Sequence, residues 1–335
     1  MKKIIKFSKK YDDNMLKIKK SFYLDNDKNL LKKLNMNKSY KKQKLRRKCQ
    51  NCGINIKKSD FKSFGIDYII CKRCLHLNGK YENSHKFAYD LYKGEKSKIY
   101  SLNYIKDFNQ RVKSIYRPKI KFLKQVIKKN FSLTDIGSGG GHFLKACEQE
   151  KIRANGYESS NHLVNVARKF IKTNKIKNIL FEDINKIIKK NDSDCVSLIG
   201  VLEHLINPNL AIKSFCRSKS KYLFLSVPLF SLSTFLEHAN QKVFPRQLGG
   251  DHTHLYTKES LYYLFKKNKL KVVGEWWFGT DFADLHRTLL NNFSNKNSKY
   301  FQICYQKFFS NYINDFQNIL DNNKISSEVH MVVRK

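Results

Sequence analysis

A chain of 335 residues with 41% hydrophobic and 13% aromatic residues, but only 4 prolines and 14 glycines, holds one large folded domain or a domain with an appendage; collagen-like, proline-rich and wholly disordered classes are excluded. The formal charge of +38 is carried mostly by lysine, a hydrated point charge without the bidentate fork of arginine, so it reads first as solvated surface and second as attraction to a polyanion such as a phosphorylated acceptor, an acidic membrane surface or RNA. The longest apolar-leaning stretch, 222–236, falls short of the roughly 20 residues a membrane span needs and is broken by Pro228, and no signal-length apolar segment follows the lysine-rich start, so a cytoplasmic protein with no membrane span is expected.

In chain order, residues 1–48 carry 18 Lys and Arg against 4 Asp with little periodicity, which predicts a basic N-terminal arm, mobile or a frayed helix. Residues 49–80 follow as a zinc ribbon. Cys49-x2-Cys52 and Cys71-x2-Cys74, 18 residues apart, can wrap four thiolates around one ion, and four sulfurs in a tetrahedron suit structural Zn2+ with no position left for catalysis. In a reducing compartment metal explains paired CxxC motifs better than disulfides do. The other cysteines, Cys147, Cys195, Cys216 and Cys304, read as small core residues. Residues 81–131 predict a helical connector, with Tyr89, Tyr92, Tyr100, Tyr104, Phe108, Val112 and Ile115 spaced near 3 and 4 and Pro118 near the start of its last helix. From 132 to 335, short apolar strands alternate with helical stretches, the pattern of βαβ units: an α/β fold with a mostly parallel sheet.

Within SLTDIGSGGGHFLK, Gly137, Gly139 and Gly141 lie between a strand ending at Asp135 and a helix starting near His142; such a loop turns tightly, and the helix offers its positive end to a ligand. No Gly-Lys-Ser/Thr closes it, which disfavours triphosphate hydrolysis, while a dinucleotide site remains open. The next strand ends in NGYESS, placing Glu158 17 residues beyond Gly141, where a carboxylate can accept ribose hydroxyls. A third strand ends in NILFEDI with Asp183, and a fourth runs into GVLEHLINP.

These four segments, in this order, resemble the class I S-adenosylmethionine-dependent methyltransferases, with a Rossmann-like sheet whose last strand is antiparallel; EVHMVVRK looks like that strand and LKVVGEWWF like the one before it. The resemblance implies S-adenosylmethionine as cofactor, with Asp135 near its methionine end, Gly137, Ser138, Gly139 and Gly141 beneath it, Glu158 and Ser159 at the ribose, Asp183 and Ile184 at the adenine, and Gly200, Val201, Leu202 and His204 along its side. A sulfonium already carries a good leaving group, so the protein's part is in-line positioning and removal of the acceptor's proton.

The segment after the fifth strand must cap the ligand-binding edge of the sheet, and it gathers Glu237, His238, His252 and His254. Ribbon and methyltransferase together are similar to the sugar C-methyltransferases and related enzymes of surface polysaccharide biosynthesis. In that family a His-Glu-His-x-x-Tyr segment supplies the base; His252-Thr253-His254-Leu255-Tyr256 keeps the histidines, puts Thr253 in place of the Glu and brings the tyrosine one place early. That departure makes O-methylation of a hydroxyl at least as natural as C-methylation. The resemblance nominates His254 as base, with His252, His204 and His238 in reserve, and a nucleotide-linked or phosphorylated sugar as acceptor. The competing reading is an RNA methyltransferase that binds nucleic acid through the ribbon and basic arm, though no NPPY-type segment follows strand four.

Overall fold

A computed structural model describes residues 2–9, 25–92, 105, 107–293 and 299–335. Its strands are β1 (Ile4–Phe7), β2 (Phe61–Ser63), β3 (Ile66–Ile70), β4 (Leu77–Gly79), β5 (Leu133–Ile136), β6 (Ala154–Glu158), β7 (Lys175–Asn178), β8 (Cys195–Ile199), β9 (Tyr222–Pro228), β10 (His254–Leu255), β11 (Lys271–Phe278) and β12 (Glu328–Arg334). Eight of them make one sheet in the order β1-β11-β12-β9-β8-β5-β6-β7. Every pairing in it is parallel except those of β12, which runs antiparallel to both β11 and β9. The α/β, Rossmann-like methyltransferase sheet expected from the sequence is therefore present, last strand included.

The sheet's composition follows from its being covered on both faces. Cys195–Ile199 and Tyr222–Pro228 are near-continuous apolar runs, as strands buried on both sides must be. On β11, Trp276 packs into the core that holds Phe122, Val126 and Phe143, while Trp277 points into the opposite core with Leu225, Leu264 and Met331, since successive strand residues face opposite ways. Pro118 sits in the first turn of the helix Arg117–Ile127, and Thr257 and Ser260 form a capping box at the helix Lys258–Lys267. Among the described residues no helix is long and apolar enough to cross a membrane. Tyr100 and Tyr104 of the expected connector lie outside the described residues.

The described parts of the N-terminal segment are ordered elements, a strand that the reading as a mobile arm or frayed helix did not foresee and a helix that it allowed. Ile4–Phe7 joins the sheet as an edge strand parallel to β11, with the Lys6 ammonium 3.8 Å from the Trp276 ring centroid and Lys3 paired with the buried Glu275. Asn26–Tyr40 is a helix that buries Asn37 and Tyr40 against the ribbon. Lysine density hid the strand and blurred the helix, because the apolar stripe that ties each one down is only a few residues long.

The ribbon is a hairpin, β2 and β3 turning through Phe64 and Gly65, extended by β4. Its sheet does not stop there. β10, from the cap of the methyltransferase region, pairs antiparallel with β4, His254 against Asn78 and Leu255 against Leu77. Tyr40, Phe64, Ile66, Tyr68, Leu77, Phe87, Leu248 and Leu255 share one hydrophobic core. Ribbon, N-terminal helix and cap are thus one packed unit that meets the large sheet just beyond the C-terminal ends of β8 and β9.

Candidate active site

The loop after β5 is built by backbone geometry. Gly137, Gly139 and Gly141 all have positive φ, which glycine adopts without the Cβ penalty. A Cβ on Gly137 would come within 2.6 Å of Val201 Cγ2, whereas one on Gly139 would meet nothing within 4 Å. The loop therefore packs closely on the segment after β8 and faces open space at Gly139. Glu158, at the end of β6, holds it: Oε2 accepts from Gly139 N at 2.8 Å and Oε1 from Ser160 N at 2.8 Å, with Ser159 Oγ 3.4 Å from Oε1. Beneath lies Asp135, whose carboxylate accepts from Ser197 Oγ at 2.6 Å and which burial pushes up to about 7.

Gly200 also has positive φ, and Val201 and Leu202 follow it, Leu202 fully in the core. Asp183 lies in a short 3-10 turn after β7 and lines a cleft of about 380 Å³ with Thr134, Tyr157 and Lys186; Ile184 is buried beside it. Lys119, a buried lysine that the sequence did not single out, lies close enough to Asp135, Glu203 and Glu328 to feel all three charges, while burial lowers its pKa.

The four titratable groups of the cap do not gather in one place. Glu237 is buried and accepts from the backbone nitrogens of Arg246, Gln247 and Leu248 at 2.6, 2.9 and 2.9 Å, a loop-closing role. His238 meets Ser63 Oγ at 3.2 Å on the ribbon hairpin. His254 lies inside the ribbon sheet, its Nδ1 3.0 Å from His76 Nε2, and burial holds its pKa well below the usual imidazole range. His252 instead stands beside His204 with ring centroids 5.0 Å apart. His252 Nδ1 lies 3.0 Å from Gln247 O and His204 Nδ1 2.7 Å from Asp251 O. Burial takes His252 down to about 4, although Asp251 opposes the shift. One alternating step along the chain therefore separates two partnerships, because the strand that would align His252 with His254 begins only at 254.

His76 was missed, and its position two residues after Cys74 carries no signal of a partner 178 residues away. Asp251 was missed too; it pairs with Lys33 at 2.7 Å and is lowered to about 2, Lys33 being the main influence that overcomes burial.

Over residues 108–275 the chain matches the family model described as a methyltransferase domain. The chain belongs to that family. It is an S-adenosylmethionine-dependent methyltransferase, as its motifs implied. No curated protein matches it. Among solved structures, the plantazolicin methyltransferase in complex with a triazolic analog and SAH is 14% identical, with 75% of this chain and 95% of that one covered and a TM-score of 0.47. Magnesium protoporphyrin IX methyltransferase from Synechocystis PCC 6803 with bound SAH is 11% identical, covering 75% and 100%, at 0.47. A SAM-dependent methyltransferase from Archaeoglobus fulgidus is 17% identical, covering 65% and 92%, at 0.40. Likenesses at this level say nothing of this methyltransferase's acceptor.

The residues present fit the methyl donor: open space at Gly139, amides turned by positive φ, and a buried carboxylate at the tip of β6 make a cradle for an adenosyl group. The four cysteines fit a tetrahedral dication. Cys49 Sγ lies 3.7 Å from Cys74 Sγ and Cys52 Sγ 3.4 Å from Cys71 Sγ, near the roughly 3.8 Å between sulfurs that Zn–S bonds of about 2.3 Å impose. All four sulfurs lie within 4.8 Å of one another and all four residues are buried.

Proposed function

We propose that this methyltransferase moves a methyl group from S-adenosylmethionine to an oxygen of a small polar acceptor, a nucleotide-linked or phosphorylated sugar being the class its charge and cap suit best. Glu158 would accept the ribose hydroxyls while keeping the loop amides at Gly139 and Ser160 in place. Gly137, Gly139 and Gly200 would line the donor, and Asp135 would set the loop from below through Ser197 and Ser138. The donor, when bound, supplies an electrophilic methyl carbon on a sulfonium; the chain's own task is to hold the acceptor in line and take charge of its proton.

The observation that carries this reading is the convergence of Glu203, His204 and His252 where the segment after β8 meets the cap. His254, nominated from the sequence, is assigned instead to holding the cap on the ribbon with His76. We further assign zinc to the four cysteines in a folding role. The first knuckle serves the site: Gln50 donates to Ile206 O at 2.5 Å, Asn209 to Gln50 O at 2.6 Å, Asn51 to Ser260 O at 2.9 Å. Knuckle residues occupied in this way support a ribbon that braces the active site rather than one that reads RNA.

Glu158→Ala is expected to weaken S-adenosylmethionine binding at least tenfold, since hydrogen bonds to a charged group are worth about 1.5–3 kcal/mol and the loop loses its tie at Gly139 as well. Calorimetry is the measure, with transfer of labelled methyl to a panel of nucleotide sugars in parallel. Unchanged affinity would remove Glu158 from the donor site, and no transfer to any sugar, with transfer to RNA, would replace the acceptor class.

A further inference from the structure

We propose that Glu203, His204 and His252 form a binding site for a divalent transition-metal cation that holds the acceptor, a second metal centre separate from the four-cysteine site. This rests on the reading of the cap as the acceptor face and names how that face works.

Each of the three residues offers a ligand atom, and these atoms all lie within 4.8 Å of one another. Two imidazoles and one carboxylate, with further positions left open, are the donor set of a mononuclear site that can also take oxygen ligands from a substrate. The orientation of the rings supports it. Both histidines turn Nδ1 to a backbone carbonyl, Asp251 O and Gln247 O, which fixes Nδ1 as the protonated nitrogen and Nε2 as the donor of an electron pair. Outer hydrogen bonds of this kind are what metal-binding histidines have. His204 Nε2 stands 3.9 Å from Glu203 Oε1.

A second observation is independent of the rings. Glu203 is only 2% exposed, and its Oε2 has no hydrogen-bond partner. A buried carboxylate oxygen without a donor is costly, and a bound cation satisfies it. By contrast, Glu237 is satisfied by three backbone amides and Asp281 by Ser231, Ser233 and Ser327, and Asp321, whose Oδ2 is likewise unpartnered, has no histidine cluster beside it among the described residues. His204 and His252 are partly open while Glu203 is buried, so the cluster has an inner wall and an outer mouth.

Chemically, the cation lowers the pKa of an acceptor hydroxyl bound to it. The proton leaves to solvent, an oxygen lone pair forms the new C–O bond at the methyl carbon, and the C–S electron pair stays on sulfur, leaving a neutral thioether. A carboxylate next to His254 is then not required, which accounts for Thr253 standing where the sugar C-methyltransferase segment has its glutamate.

The test is Mn2+ binding to the full chain with its cysteine site zinc-loaded, followed by electron paramagnetic resonance of free Mn2+; a hard ion leaves the thiolates alone. One Mn2+ per chain is expected, weakened at least tenfold by His252→Ala and by Glu203→Gln. His252→Gln serves as well where the alanine variant misfolds. S-adenosylmethionine affinity is measured on the same samples and is expected to stay within threefold, which reports an intact donor site. Absence of Mn2+ binding in the wild-type protein, or equal binding by the histidine and glutamate variants, overturns the metal centre. Either result with normal donor binding leaves the methyl-transfer reading standing, whereas Mn2+ binding without any donor binding removes that reading and keeps the site.

Discussion

Cys71→Ser is expected to cost the protein one equivalent of zinc and, with it, the ordered cap of the active site. Structural zinc contributes folding free energy outright, on the order of 10 kcal/mol in small zinc-dependent units, because the site does not exist in the unfolded chain. Here that energy has a defined place to act. The ion would fix Cys49 and Cys52, whose neighbours Gln50 and Asn51 bond to Ile206 and Ser260, and it would fix Cys71 and Cys74, which position β4 under β10. Asn83 donates to His204 O at 3.1 Å, so the histidine beside Glu203 hangs on the same frame. Without the ion the sulfurs do not share one charge state: the hydrogen bond with Cys74 draws Cys49 down to about 5 and pushes Cys74 up, while burial pushes Cys52 up to about 11, so the cluster cannot supply four thiolates by itself. Elemental analysis together with proteolysis between residues 41 and 92 is the measurement. Native protein without zinc, or a variant that keeps both its zinc and its protease resistance, would sink the assignment, while donor binding at Glu158 is expected to persist.

Glu275→Ala is expected to destabilise the fold by about 3 kcal/mol, a loss of several degrees in Tm by thermal unfolding. Glu275 is a buried carboxylate on β11 reached by Lys3 just before the N-terminal strand, by Lys324 at 2.8 Å from the turn between the helix Ile313–Asn322 and β12, by the Tyr262 hydroxyl and by Trp277 Nε1 at 3.1 Å. Burial opposes its ionisation, and these donors more than offset it, holding the carboxyl at about 2. A depressed folded-state pKa adds stability that is complete above the unfolded value of 4.5 and is lost as the pH falls toward about 2. The variant should therefore lie closest to wild type in acid and furthest from it near neutrality. An unchanged midpoint at pH 7, or a difference that grows on acidification, would contradict the account. The same variant should release Ile4–Phe7 to hydrogen exchange, since that strand has β11 alone as its neighbour in the sheet.

The sequence by itself determined what repeats locally. Glycines forced to positive φ, an acidic residue at the tip of the second parallel strand, continuous apolar strands and two CxxC knuckles at a fixed separation are short-range patterns, each dictated by backbone sterics, sheet burial or metal geometry. From them came the mostly parallel sheet, the glycine loop with Glu158, and the proximity of the four cysteines; the antiparallel last strand was implied by the family resemblance. Only the tertiary structure decided which of the cap's histidines stand together. His252 and His254 are two residues apart, yet one meets His204 and the other His76, because the chain enters β10 between them and the β4 edge captures His254. It also decided that the described parts of the basic N-terminus are framework: a four-residue strand half-buried on one side and a helix anchored by Tyr40 are too short to print a period through so many lysines, and what holds them is contact with Glu275, Trp276 and the ribbon core, at sequence separations that no local pattern encodes.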